Sequence, residues 1–192
     1  IKFELAKRSP RGCDTIGITR TAKDGLVTLT TVSSIKYASG NGIDAWESYN
    51  CKYLNIWIGT FTDGTLGLGT FPDNGTPEVE QGVVIDKKTL TFTYPGDYIY
   101  GRTLVHEIGH YFNLIHIWGN DQTKPDRCSG TDLVDDTPNQ KIATYGKPFV
   151  PLFDSCSPAG TSDGINYQNY MDYCDDSVLT MFTEGQVERM IA

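Results

Sequence analysis

All three histidines of this 192-residue chain fall within eleven consecutive residues, His106-Glu107-Ile108-Gly109-His110-Tyr111-Phe112-Asn113-Leu114-Ile115-His116. On an α-helix, residues four apart sit about 40° apart around the axis, so His106 and His110 project from one face. Two neutral imidazoles on one face form half of a tetrahedral zinc site, and the intervening Glu107 is placed to take a proton from a water that the metal activates. His116 cannot join them by continuing the helix, because six more residues would carry it about 9 Å along the axis and far around the cylinder. The chain must turn between His110 and His116. Asn113 is the expected site of that turn, since Asn is among the few non-glycine residues that accept positive φ at a helix end.

The spacing matches the long zinc consensus of the metzincin clan, HExxHxxGxxH, with Asn113 in place of the usual glycine. A Met-turn downstream is supplied by Asn169-Tyr170-Met171-Asp172-Tyr173. Together with Phe182-Thr183-Glu184-Gly185-Gln186, Tyr53-Leu54-Asn55-Ile56-Trp57 and Asp132-Leu133-Val134-Asp135-Asp136-Thr137-Pro138, these segments resemble the pappalysin family, and within it the small prokaryotic members. The resemblance runs from about Ile1 to the C-terminus and is most specific in the zinc motif and the Met-turn.

That resemblance implies an α+β, metzincin-like zincin fold. A twisted mixed β-sheet and the active-site helix would form an upper lobe, about residues 1–113. A mostly irregular lower lobe, about 114–192, would end in a helix, the whole being one metalloprotease catalytic domain. It implies one catalytic zinc ion held by His106, His110 and His116, with Glu107 as general base and Tyr173 assisting at the oxyanion. Met171 would form an apolar floor beneath the histidines. Asp176, five residues after Met171, matches the base of the pocket for the residue that follows the scissile bond, so cleavage on the amino side of Arg or Lys is expected. Cys128 and Cys156 match a bridged pair, whereas Val178 stands where a cysteine of a second bridge would be. An N-terminal propeptide in a zymogen is a further implied partner.

Other expectations come from the residues themselves. Asp132, Asp136 and Thr137, with the Val134 carbonyl between them, gather hard oxygen donors in a long loop, which suits one or two structural calcium ions. Gly67, Leu68 and Gly69 lie in a glycine-bearing strand on which an extended substrate could pair as an added strand. Strands are expected at Lys2–Ala6, Thr15–Thr21, Tyr53–Gly59, Leu66–Phe71 and Gly82–Asp86. A helix of roughly sixteen residues is expected from near Asp97 to Phe112 or Asn113, supported by Ile99, Leu104, Val105 and Ile108. A last helix opens on a capping box of Thr183 and Gln186 and should turn Val187 and Met190 inward. From Trp118 to Tyr167 little periodicity is visible. The chain opens on what reads as the second strand of such a domain, with no long amphipathic helix before Tyr53, so the start of the mature domain is expected to lie outside it; a helix over Ser33–Ser48 is the alternative.

Composition narrows the partners. Twenty-four acidic against sixteen basic residues leave a net charge of −8, which argues against nucleic acid and suits cations and peptide substrates. No apolar run approaches the ~20 residues of a membrane span, and no basic-then-apolar leader is visible; the resemblance implies a secreted protein, whose signal and any propeptide would then already have been removed. Five cysteines without a C-x-x-C pair leave the metal to histidine; Cys13, Cys51 and Cys174 are unassigned, with Cys13–Cys51 one pairing. The alternative function is a catalytically inactive, zinc-containing binding module of the same fold. A structural zinc site is usually closed by a fourth protein ligand, often Cys, and Glu107 argues against this reading, since inactive relatives of an enzyme commonly lose the base first.

Overall fold

The structure, a computed structural model, describes residues 1–40, 42–46, 53–72, 75–91, 96–119, 128–160 and 162–192. The chain divides into two compact units, Ile1–Lys87 and Lys88–Ala192. The boundary of packing thus precedes the zinc motif, whereas the lobe boundary expected from the sequence follows it at about residue 113.

The first unit is built on a four-stranded sheet of β1 (Leu26–Val27), β2 (Ile56–Phe61), β3 (Gly67–Gly69) and β4 (Val83–Asp86), in the order β1-β2-β4-β3. β1 and β4 run parallel to β2, with Trp57 opposite Val84, and β3 is antiparallel to β4. The run Val83-Val84-Ile85-Asp86, paired in parallel to β2 on one side and antiparallel to β3 on the other, is buried throughout, as suits an interior strand. β2 alternates instead, burying Trp57, Gly59 and Phe61 while Ile56 and Ile58 face outward. Gly59 admits no side chain, because a Cβ there would lie 2.9 Å from the Gly25 carbonyl and collide with Ile35. Val27, Val32, Ile35, Trp57, Phe61 and Val84 form the core of this unit.

Two expectations fail here. No strand forms at Lys2–Ala6 or Thr15–Thr21; Thr15 instead donates to the Lys7 carbonyl at 3.1 Å across a turn closed by an isolated Arg8–Asp14 bridge. The alternation there reflects exposed chain, with Phe3, Leu5 and Ile16 each more than half exposed. A 3-10 helix at Leu29–Lys36 overlaps the start of Ser33–Ser48, the segment expected as an alternative helix, but it ends at Lys36, and residues 41, 47 and 48 lie outside the described residues. The other expected strands are present, each shorter or shifted by up to three residues.

The second unit contains α1 (Arg102–Tyr111), the short parallel pair β5 (Tyr145–Gly146) and β6 (Tyr173–Cys174), and α2 (Glu184–Ile191). α1 has ten residues, not sixteen. Its start is set by Gly101, which adopts φ 76° at the N-cap, and by the Asp176 carboxylate, whose Oδ2 accepts the backbone N–H groups of Tyr100 and Arg102 at 2.7 and 3.2 Å. A cap supplied from so far along the chain overrides the local helical pattern before residue 101.

α2 begins on the expected capping box, with Gln186 N donating to Thr183 Oγ1 and Thr183 N donating to Gln186 Oε1. Met190 packs toward the core of Leu114, Ile117, Trp118 and Met171, but Val187 is 45% exposed and does not. Between the helices the described chain is largely irregular, held by the Cys128–Cys156 disulfide, whose Cα atoms are 5.2 Å apart. Among the described residues Cys13 and Cys174 form no disulfide; Cys51, and with it the Cys13–Cys51 pairing, lies outside them. No described helix is long and apolar enough to cross a membrane.

Candidate active site

α1 ends in a Schellman motif. Asn113 takes φ 70°, Asn113 N donates to the His110 carbonyl at 2.9 Å, and Leu114 N donates to the Gly109 carbonyl at 2.9 Å. The left-handed residue reverses the chain and brings His116 back over the face that carries His106 and His110. His116 Nε2 then lies 3.2 Å from His106 Nε2 and 3.1 Å from His110 Nε2. Among the described residues these three are the group of metal-ligating side chains whose ligand atoms lie within 4.8 Å of one another.

The far sides of two rings are committed. His106 Nδ1–H donates to the Tyr170 carbonyl at 2.6 Å, and His110 Nδ1–H donates to the Leu114 carbonyl at 2.7 Å. A carbonyl only accepts, so each ring is the tautomer that presents a lone pair at Nε2. Burial holds both pKa values below the usual histidine range, His106 well below it, and the neighbouring imidazoles depress His106 further. Neutral rings whose lone pairs converge fit a divalent cation. Three ligands at the usual Zn–N distance of about 2.0–2.1 Å would place their nitrogens about 3.3 Å apart in tetrahedral geometry, close to the two separations observed.

The remaining residues surround this point. Glu107 is buried next to His106 in the chain. Tyr173 Oη lies 3.0 Å from His116 Nε2. Burial pushes the Tyr173 pKa up to about 12, with the Glu107 carboxylate the next contributor, so the hydroxyl keeps its proton. Met171 is fully buried against Leu114, Ile117 and Trp118, beneath Gly109. Trp118 was not anticipated from the sequence, yet its ring stacks on His116 at 4.4 Å with 9° between planes. A tryptophan two residues beyond the last histidine of such a motif is the signal that could have found it.

Asp176 is 2% exposed, and while Oδ2 caps α1, Oδ1 is buried without a hydrogen-bond partner among the described residues. Burial raises its pKa; the Arg102 and Tyr100 amides and the Arg102 charge oppose that rise, and Asp175 adds to it. In the loop after the zinc motif, Thr137 Oγ1 lies 2.7 Å from Asp132 Oδ2 and 2.9 Å from the Val134 carbonyl, so three expected oxygen donors converge. Asp136 turns elsewhere, its Oδ2 accepting Gly185 N at 2.8 Å at the start of α2. Gly67, Leu68 and Gly69 form β3, the end strand of the sheet in the first unit.

Converging imidazoles, an adjacent glutamate and a buried methionine turn define a metal site of the metzincin type. The chain belongs to the pappalysin family of metalloproteases: residues 39–192 match the Peptidase_M43 family, described as pregnancy-associated plasma protein-A. An extracellular metalloprotease of Pyricularia oryzae is 40% identical over 146 residues, covering 72% of this chain and 47% of the relative. One from Arthroderma otae is 32% identical over 173 residues, covering 86% and 61%. Mature mirolysin of Tannerella forsythia, solved with a cleaved peptide, matches with a TM-score of 0.89 and 39% identity over 98% of this chain and 68% of that one. A promirolysin variant matches with a TM-score of 0.88 and 40% identity over 98% of this chain and 60% of that one. The fold is therefore the α+β metzincin-like zincin expected from the motif. This chain spans about half the length of the curated relatives it matches.

Proposed function

We propose that this chain is a zinc-dependent endopeptidase that cleaves peptide bonds on the amino side of Arg, and less readily Lys. The observation that carries the reading is the convergence of three imidazole nitrogens, two of them tautomerically fixed with lone pairs inward. A zinc ion held by His106, His110 and His116 would supply the positive charge that acidifies a water and polarises the peptide carbonyl. Glu107 takes the water proton and passes it to the leaving amine. Tyr173, protonated at neutral pH, donates its hydroxyl hydrogen to the oxyanion that develops on the substrate. Met171 and Trp118 keep the ligand rings from shifting by packing against the turn and the His116 ring.

Asp176 supports the basic preference, because a buried carboxylate oxygen without a hydrogen-bond partner among the described residues gains most from a cationic side chain. Asp132, Thr137 and the Val134 carbonyl support a structural calcium site, with Asp136 tying the same loop to α2. β3, through Gly67, Leu68 and Gly69, offers an end strand of the sheet for pairing with extended substrate. The extracellular naming of the relatives supports secretion, and the likeness to promirolysin supports a precursor with a propeptide.

A peptidase assay with and without chelator, run beside Glu107→Ala, tests the central reading. Activity should vanish on zinc removal and return with zinc. Glu107→Ala should be inactive with zinc stoichiometry still near one; near-normal activity in that variant would overturn the assigned mechanism, and an inactive zinc-loaded wild type would favour a binding module.

A further inference from the structure

α2 contributes none of the converging imidazoles, yet two of its side chains end on the two segments that hold them. Gln186 and Asn169 are both fully buried and form a reciprocal amide pair. Asn169 Nδ2 donates to Gln186 Oε1 at 2.7 Å, and Gln186 Nε2 donates to Asn169 Oδ1 at 3.1 Å. The same Asn169 Oδ1 accepts Met171 N–H at 2.9 Å. Met171 N–H and the Tyr170 carbonyl are opposite ends of one planar peptide unit. Fixing the N–H therefore fixes the direction of the carbonyl, and that carbonyl is the one His106 Nδ1 donates to.

Three residues along α2, on the same helical face, Arg189 Nε donates to the Asn113 carbonyl at 2.8 Å. The peptide unit after Asn113 is thereby held at both ends, since its N–H donates to the Gly109 carbonyl. This is the left-handed turn that carries the chain from His110 to His116.

We infer that Gln186 and Arg189 are positioning residues for the metal ligands, Gln186 acting on His106 through Asn169 and the Tyr170 carbonyl, and Arg189 on His116 through the Asn113 turn. Gln is suited to its place because it accepts from Thr183 N and Asn169 Nδ2 while donating to Asn169 Oδ1. Glu has the same shape and lacks the donor. The inference rests on the three histidines being a zinc site.

The test compares Gln186→Glu and Arg189→Met with the wild-type 192-residue chain, using Glu188→Gln on the same helix as control. Zinc affinity is measured by competition with a chromophoric chelator, ligand geometry by the visible spectrum of the cobalt(II)-loaded protein, and folding by far-UV circular dichroism. Outer-shell partners of ligating histidines typically account for 10–100-fold in metal affinity. Gln186→Glu should therefore weaken zinc by roughly that factor, and Arg189→Met by several-fold at least, both with shifted cobalt bands and with Glu188→Gln unchanged. A helix that merely stabilises the fold would lower the melting temperature and leave the cobalt spectrum alone. Zinc affinity within twofold of wild type and an unaltered cobalt spectrum in both folded variants would overturn the inference. If Gln186→Glu does not fold, Arg189→Met decides by the same criterion. A wild-type chain that binds no zinc would instead overturn the zinc reading beneath it.

Discussion

Gly109 and Met171 are packed so closely that a Cβ on Gly109 would fall 2.5 Å from Met171 Sδ and 3.4 Å from its methyl carbon. The backbone of the zinc-motif helix thus lies directly against the Met171 side chain, and the methionine has no room to retreat because it is fully buried. Gly109→Ala sets two effects against each other. Alanine favours a helix interior by up to about 1 kcal/mol over glycine. Overpacking a filled core costs about 1–3 kcal/mol. The clash should win, giving net destabilisation in urea unfolding and weaker zinc retention. A variant more stable than wild type, with zinc affinity intact, would show that the floor yields freely.

The contact between those two residues also shows what the sequence could and could not reveal. Histidine spacing, the Asn113 turn and the Thr183–Gln186 box are local, set by helix geometry over a few residues, and were legible directly. The Gly109 approach was not, because it needs a partner sixty-two residues later in the chain. The start of α1 differs for the same reason: Gly101 marks it locally, but the carboxylate that caps it is Asp176, seventy-four residues beyond Arg102. Val187 fits the helical period as well as Met190 does, and only the packing distinguishes them. The N-terminal alternation at Lys2–Ala6 is a strand pattern without a strand, since pairing depends on a neighbour that local sequence does not specify.

The disulfide closes a separation of 28 residues through a segment with little regular structure of its own. Replacing Cys128 and Cys156 together with serine should destabilise the protein by roughly 3–4 kcal/mol on the chain-entropy model. Denaturant unfolding of the double variant measures it; a loss below about 1 kcal/mol would mean that the loop is ordered by other means.

Asp136 gives a pH dependence with a defined sign. Its carboxylate accepts Gly185 N–H, and that bond, with the Thr183 side chain next, holds its pKa below the usual carboxylate value. A depressed folded pKa stabilises the fold above the unfolded value of about 3.9, and the benefit is lost as pH falls through the folded value. Asp136→Ala should cost about 0.5–1 kcal/mol at pH 7, the low part of the capping range because the carboxylate is well solvated. The gap should close on titration from about pH 5 toward pH 3. Calcium-free urea unfolding at both pH values checks this, and an equal gap at pH 3 would rule out the charge as its source.

Asp132 raises the opposite case. Burial lifts its pKa, and the Thr137 hydroxyl and Val134 amide only partly offset that. Calcium bound by Asp132, Thr137 and the Val134 carbonyl would relieve the cost of the buried charge. Millimolar calcium should raise the melting temperature, with about 2.7 kcal/mol gained at a hundredfold excess over Kd. Thr137→Val should abolish the shift. If the wild-type melt does not respond to calcium, the three oxygens are a hydrogen-bonded turn and nothing more.

Asp176 holds the specificity prediction. One oxygen caps α1 and cannot be spared, whereas the other is buried and unsatisfied among the described residues. Asp176→Ala would therefore confound loss of charge with loss of the cap. Asp176→Asn keeps an acceptor for Tyr100 and Arg102 while removing the charge, so it isolates the term of interest. A hydrogen bond to a charged group contributes about 1.5–3 kcal/mol, so kcat/KM for Arg peptides should fall by roughly 10- to 150-fold, while peptides with an apolar residue at that position change little. Because burial raises the Asp176 pKa, its charge should also be lost at a higher pH than an ordinary carboxylate's. The preference for Arg over apolar peptides should then fade as pH falls, and Asp176→Asn should show no such fading. Sequencing the products of a mixed protein digest at two pH values reads both effects. Cleavage before apolar residues in the wild type, or an undiminished Arg preference in Asp176→Asn, would remove Asp176 from the substrate pocket and leave it as the cap of α1.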